Sequence, residues 1–205
     1  TVTFSPASAT AATASSAPFE KHPTSKSLPM IRPFAAIPIL LGLCAAALAS
    51  GPITPDEVRA AQKAWGDAIV AIGQAHTAGG DAQTLAAQAV STLYAYDLGP
   101  VLFKPTKASN VEFRPSLDQA VSYFVGGVVA EDHGFALQPW SQVRFGDQQI
   151  TIDSDSAVAM GNYFFTDAAS GAETKANFTF GYLKDPLGRL RIHVHHSSLP
   201  YAAHP

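Results

Sequence analysis

The chain has 205 residues, 47% of them hydrophobic and 14% charged, with a formal net charge of -3. That balance describes a globular protein and excludes a wholly disordered chain or a multi-span membrane protein. Lysine and arginine form no run, which excludes an electrostatic nucleic-acid footprint and leaves a small neutral or anionic molecule as the natural ligand class.

Residues 1–29 are rich in Ser, Ala, Thr and Pro, carry one acid, Glu20, and show no hydrophobic period. Such a segment cannot bury enough apolar surface to offset its ordering entropy. It reads as a disordered stretch or as untranslated sequence upstream of Met30, with an organellar transit segment as the alternative. From Met30 the pattern changes to Arg32, an apolar run from Phe34 through Leu48, and the small-residue close Ala47-Leu48-Ala49, the layout of a secretory signal. The run is shorter than the ~20 residues of a membrane span, and Pro33, Pro38 and Pro52 surround it. Residues 30–50 are therefore expected to be a signal peptide without stable membrane insertion, and 51–205 a single periplasmic or secreted α+β domain. The only cysteine, Cys44, lies inside the apolar run. The mature domain then has no disulfide, no thiolate nucleophile and no Cys-based zinc site.

Thr54-Pro55-Asp56-Glu57 opens a helix with a capping residue, a first-turn proline and two acids. Val58, Ala61, Trp65, Ala68, Ile69 and Ile72 recur at helical spacing and predict one buried stripe, ended by Gly79-Gly80. Asp81 caps a second helix that runs through Leu85, Ala89 and Leu93 towards Tyr96, with a break at Gly99-Pro100. Val101 to Thr106 reads as a short strand that Pro105 confines to an edge or a bulge. Ser116 caps a third helix, Leu117 to Phe124, stopped at Gly126-Gly127. Period-two segments follow: Val143–Phe145 and Ile150–Ile152 about a turn at Gly146-Asp147, then Ala157–Thr166, Asn177–Lys184 and Leu190–Ser198. Helices first and a long antiparallel meander after them predict an α+β fold with about three helices backing a curved sheet.

The last strand holds the densest chemistry. Strict alternation over Arg191-Ile192-His193-Val194-His195-His196-Ser197-Ser198 puts Ile192, Val194, His196 and Ser198 on one face, apolar and then polar at its end. That face reads as the wall of a pocket that finishes in His196 and Ser198, or as a core satisfied by backbone partners. His193 and His195 share the other face, as His-x-His zinc ligands do, although Arg191 lies beside them and no carboxylate accompanies them. Thr106, Tyr123 and the polar loop Glu131-Asp132-His133-Gly134 are weaker signals. No phosphate loop, nucleophile elbow or HExxH is present, which argues against the common cofactor and hydrolase classes.

The run Leu190 to Tyr201 resembles the C-terminal signature of the iota-class carbonic anhydrases, within the superfamily of the calcium/calmodulin-dependent kinase II association domain and nuclear-transport-factor-2-like proteins. Val101–Thr106, Phe113–Pro115, Tyr123-Phe124, Glu131–Phe135, Pro139-Trp140 and Ala159–Tyr163 support the likeness, which covers most of residues 54–201. It implies a cone-shaped curved sheet enclosing a pocket, reversible hydration of CO2 to bicarbonate, and a homodimer. It also implies Thr106, Tyr123, His196 and Ser198 as catalytic groups, with Asp132 and Tyr163 as further substrate-binding candidates. Its members include metal-free and metal-dependent forms. The Cys-free domain leans to the metal-free mode, with zinc or manganese as the alternative. On that reading the Ser198, Thr106 and Tyr123 hydroxyls position and polarise a water, and His196 orients them or relays the proton. The same fold serves polyketide-cyclase-like enzymes and ketosteroid isomerases, for which Asp132 is the acid available to face His196, and non-enzymatic association or ligand-binding modules. An assembly module has no need of His and Ser together in a pocket.

Overall fold

The structure is a computed structural model that describes residues 51–202; the proposed signal peptide and the segment before it lie outside the described residues. Thr54 begins α1 (Pro55–Thr77) with a complete capping box, its side chain accepting from the Glu57 N–H while the Glu57 carboxylate accepts from the Thr54 N–H. Asp81 and Ser116 cap α2 (Ala82–Leu93) and α3 (Leu117–Val125) through the side chain alone, accepting from the Thr84 and Gln119 N–H groups. Each cap satisfies helix-end donors that would otherwise be orphaned, about 1 kcal/mol apiece. The stripe on α1 is buried as expected through Val58, Trp65, Ile69 and Ile72. On α2 the buried face is Ala82, Ala86 and Val90, whereas Leu85 is exposed. Small residues there let α2 approach its neighbours closely. The helix stops at Leu93, so that Tyr94 turns extended and bridges to Ile192.

Five strands follow the order β1-β5-β4-β3-β2, with β1 (Leu102–Lys104), β2 (Trp140–Ile152), β3 (Ser156–Asp167), β4 (Glu173–Lys184) and β5 (Leu190–Ser198). The four long strands form the expected antiparallel meander, but β1 joins β5 in parallel, so the sheet is mixed. As Pro105 predicts, β1 is an edge strand that ends before it. The turn expected at Gly146-Asp147 is instead an irregularity inside the continuous strand β2. The register with β3 shifts between Gly146 and Gln149, with Asp147 at φ 46°. Gly161 makes room for it, because a Cβ there would lie 2.7 Å from the Gln148 Cα.

A second irregularity decides the site. On β4, Tyr182 pairs with Ile192 and Gly181 with Val194, leaving His193 as an extra residue on β5. A bulge of this kind resets the alternation of every side chain beyond it. Ile192 faces inward with Tyr182, and beyond the bulge His195 faces inward opposite Phe180 and Ser197 opposite Phe178. Gly181 is the position that allows it, since a Cβ there would meet Val194 Cβ at 2.9 Å and His193 Nε2 at 3.1 Å. The core that receives these groups is aromatic: Trp65 stacks on Tyr163 at 5.8 Å, and Phe165 and Phe180 pack edge-on to the indole.

Candidate active site

Within the aromatic core lies a narrow cavity lined by Trp65, Pro105, Thr106, Tyr123, Phe135, Tyr163, His195 and Ser197, closed so tightly that its walls must part to admit a water. Three elements bring its polar groups together: the chain after β1 supplies Thr106, α3 supplies Tyr123, and the sheet supplies Tyr163, His195 and Ser197. The Ser197 hydroxyl hydrogen-bonds both Thr106 Oγ1 and Tyr163 Oη. The Tyr123 hydroxyl accepts from the Lys107 N–H at 3.5 Å. On the far side, Trp65 Nε1–H donates to Tyr94 Oη at 2.9 Å, and that hydroxyl lies 2.8 Å from His195 Nδ1. His195 Nε2 is buried with no partner in the protein.

These groups are neutral at ordinary pH, for one physical reason. Burial pushes the Tyr163 phenol up to about 12 and raises Tyr94 and Tyr123 well above their ordinary values, so all three keep their protons. Burial, and secondarily the charge of neighbouring His196, drives His195 well below its ordinary 6.5. Its ring is stacked on Phe103 at 4.6 Å and meets the edge of Phe180 at 4.3 Å, surroundings that cannot solvate an imidazolium. The cavity therefore presents uncharged hydrogen-bonding groups inside an apolar wall.

Tyr123 and Phe135 also line a wider vestibule of about 490 Å³, with His76, Lys107, Glu131, Asp132, His133 and Gly134 around it. Here the two acids hold loops together. Glu131 accepts the backbone N–H groups of Ser109, Asn110 and Val111. The fully buried Arg114 donates to the Asp132 carboxylate at 2.6 Å.

Sequence and fold both match known proteins. The sequence model of the metal-independent carbonic anhydrases matches residues 56–199. The chain belongs to that family. It is similar to a metal-independent carbonic anhydrase of Nostoc sp. (strain PCC 7120), 47% identical over 154 residues that make up 73% of this chain and 75% of the relative. It also superposes on a cyanobacterial iota-carbonic anhydrase solved in complex with bicarbonate, with a TM-score of 0.71 and 46% identity over 74% of this chain and 95% of the other. Membership carries the family's defining property, a site that needs no metal cofactor. Among the described residues no three His, Cys, Asp or Glu side chains gather into a potential metal site.

Of the residues expected at the site, Thr106, Tyr123 and Tyr163 line the cavity. His196 and Ser198 do not: His196 is exposed, Ser198 is half-buried, and their inward places are taken by His195 and Ser197. The alternation argument failed by one residue because the bulge at His193 lies between the apolar and polar halves of the strand. The same bulge separates His193, over the outer side of Gly181, from the inward His195, so the two do not share the face that alternation gave them. Asp132 lines the vestibule but is committed to Arg114, so it is not an acid paired with the histidine. The sequence pattern placed Trp65 only in the core and ran the second helix past Tyr94 towards Tyr96 without singling Tyr94 out, so the polar atoms of both were missed. Their chemical types were legible, but nothing in the spacing aims an indole N–H at a phenol 29 residues away.

Proposed function

We propose that the protein hydrates CO2 reversibly to bicarbonate in the inner cavity, on a water held by the hydroxyls of Ser197, Thr106, Tyr123 and Tyr163. The observation that carries this reading is the union of neutral, protonated donors with an apolar wall in a member of this family. Once the cavity walls part by the width of a water, Trp65, Pro105 and Phe135 suit a nonpolar three-atom substrate, and the hydroxyl cluster suits a water and the anion it becomes. In the forward step the water oxygen bonds to carbon, a carbonyl electron pair moves onto oxygen, and the lost proton leaves through the hydroxyls towards the vestibule. Each preorganised donor to the developing oxyanion is worth about 10²–10³ in rate, and a positioned proton acceptor about 10²–10⁴.

Stopped-flow CO2 hydration by chelator-stripped protein, verified metal-free by elemental analysis, tests this. Turnover that survives stripping is the expected outcome. Its absence in both stripped and metal-supplemented protein would return the chain to the binding-module or isomerase readings.

Two further parts of this reading concern the protein's setting. The layout of residues 30–50 supports export to the periplasm or beyond the cell, checked by N-terminal sequencing of the mature chain. The outward face of β3 exposes Val158 at 47% and Met160 at 60%, which supports a homodimer through the sheet, checked by sedimentation.

A further inference from the structure

We infer that Trp65 and Tyr94 are positioning residues that fix His195 as the tautomer protonated on Nε2, so that the histidine meets the substrate as a hydrogen-bond donor and not as a general base. The inference deepens the reading of this site as a CO2-hydrating one.

The argument is one of proton counting. An indole N–H donates and never accepts, so the 2.9 Å contact from Trp65 Nε1 uses the Tyr94 oxygen as acceptor. The Tyr94 hydroxyl has one proton of its own, and its other partner is His195 Nδ1 at 2.8 Å. If Nδ1 carried a proton, the phenol oxygen would accept twice and its own proton would be left without a partner in a side chain only 1% exposed. Buried donors are rarely left so. The consistent chain runs from Trp65 N–H to Tyr94 O–H to a bare Nδ1, and the ring proton then sits on Nε2.

Two features hold the chain in place. The buried Arg191 guanidinium donates to the Tyr94 carbonyl at 2.6 Å, and the Ala95 N–H donates to the Ile192 carbonyl at 2.9 Å. Tyr94 is thereby tied to the strand that carries His195. At the other end, Nε2 is the one polar atom of His195 without a protein partner, on a residue that lines the cavity. An N–H there stabilises the negative charge that develops on a carbonyl oxygen as bicarbonate forms. Burial of the ring keeps it neutral through this work. Proton removal from the water then falls to the hydroxyl cluster and its path to solvent.

The test is two-bond 1H–15N correlation spectroscopy of the full chain labelled with 15N-histidine, the His195 signals assigned by their loss in His195→Gln. The expected spectrum shows an unprotonated Nδ1 and a protonated Nε2 across neutral pH. A proton on Nδ1, or titration of the ring near neutral pH, would overturn the inference. Tyr94→Phe keeps the ring and removes the hydroxyl. It should make the Nδ1-protonated form appear and lower kcat by at least about 10-fold, approaching the ~10²–10³ of a donor lost from an oxyanion site as that form takes over. A Tyr94→Phe protein with an unchanged histidine spectrum would equally sink it. The spectrum does not depend on turnover. A wild-type protein with the expected tautomer and no CO2 hydration would leave the inference standing and remove the functional reading alone.

Discussion

The inner cavity and the vestibule share Tyr123 and Phe135, yet they use polar groups in opposite ways. In the vestibule the acids are spent on architecture, with Glu131 clamping three successive N–H groups and Asp132 closed on Arg114. In the cavity nothing is charged, and burial holds every titratable side chain in its neutral form. A carboxylate in the cavity would repel bicarbonate, and an ammonium would trap it. Neutral donors bind an anion weakly enough to release it, while still favouring the transition state in which charge is growing. The contrast teaches that the acids nearest the site are its walls.

The sharpest break of this comparison is Asp132→Ala. It leaves the buried Arg114 guanidinium with only the 4.0 Å contact to Glu131 as counter-charge, and should cost up to about 3–5 kcal/mol of stability in urea unfolding. Turnover per folded molecule should fall far less than in any cavity variant. A larger loss of turnover than of stability would move Asp132 into the chemistry. Next in size comes a pair of serines one residue apart. Ser197→Ala should lower kcat by about 10²–10³ because it removes the hydroxyl that joins Thr106 to Tyr163. Ser198→Ala, half-buried on the other face, should stay within about twofold, the usual scale for a substitution away from any special contact. Equal effects at the two positions would mean that the bulge does not set the face of the strand in solution.

That pair also marks how far the site was legible. The three helix starts could be read because capping is local chemistry, written in Thr54, Asp81 and Ser116. The edge position of β1 could be read because Pro105 forbids a central one. Family likeness gave Thr106 and Tyr123 directly. Register past His193 could not be read from β5 alone, because the bulge depends on Gly181 across the ladder, where the missing Cβ admits Val194. The pairing that carries the decisive glycine is long-range, and alternation counted along one strand is blind to it. For the same reason the burial of Ala82, Ala86 and Val90 in place of Leu85 was hidden: α2 chooses its face by closeness of approach, and hydrophobicity alone favours the larger residue.

The smallest effect concerns pH and the vestibule clamp. The Asn110 N–H, which meets both carboxylate oxygens, does most to hold the Glu131 carboxyl down at about 2, from an ordinary value of 4.5; the Ser109 hydroxyl and the Val111 N–H add to it. A folded value below the unfolded one means that the clamp's contribution is fully present above about 4.5 and is lost as pH falls through about 2. Glu131→Gln cannot titrate. The melting temperatures of wild type and Glu131→Gln should therefore be separated at pH 6, with the wild type higher, and should converge as pH drops from 4.5 towards 2. Because the group lies at the surface, the gap should be small and confined to this one window. CO2 hydration at pH 7 should change little in the variant, since the clamp sits in the vestibule wall and its partners are the Ser109–Val111 backbone and not the cavity hydroxyls. A gap that stayed constant down to pH 2 would show that the carboxylate's charge does not hold the 107–111 loop. A large loss of turnover at neutral pH would carry charge from the wall into the reaction and erase the division between the two compartments.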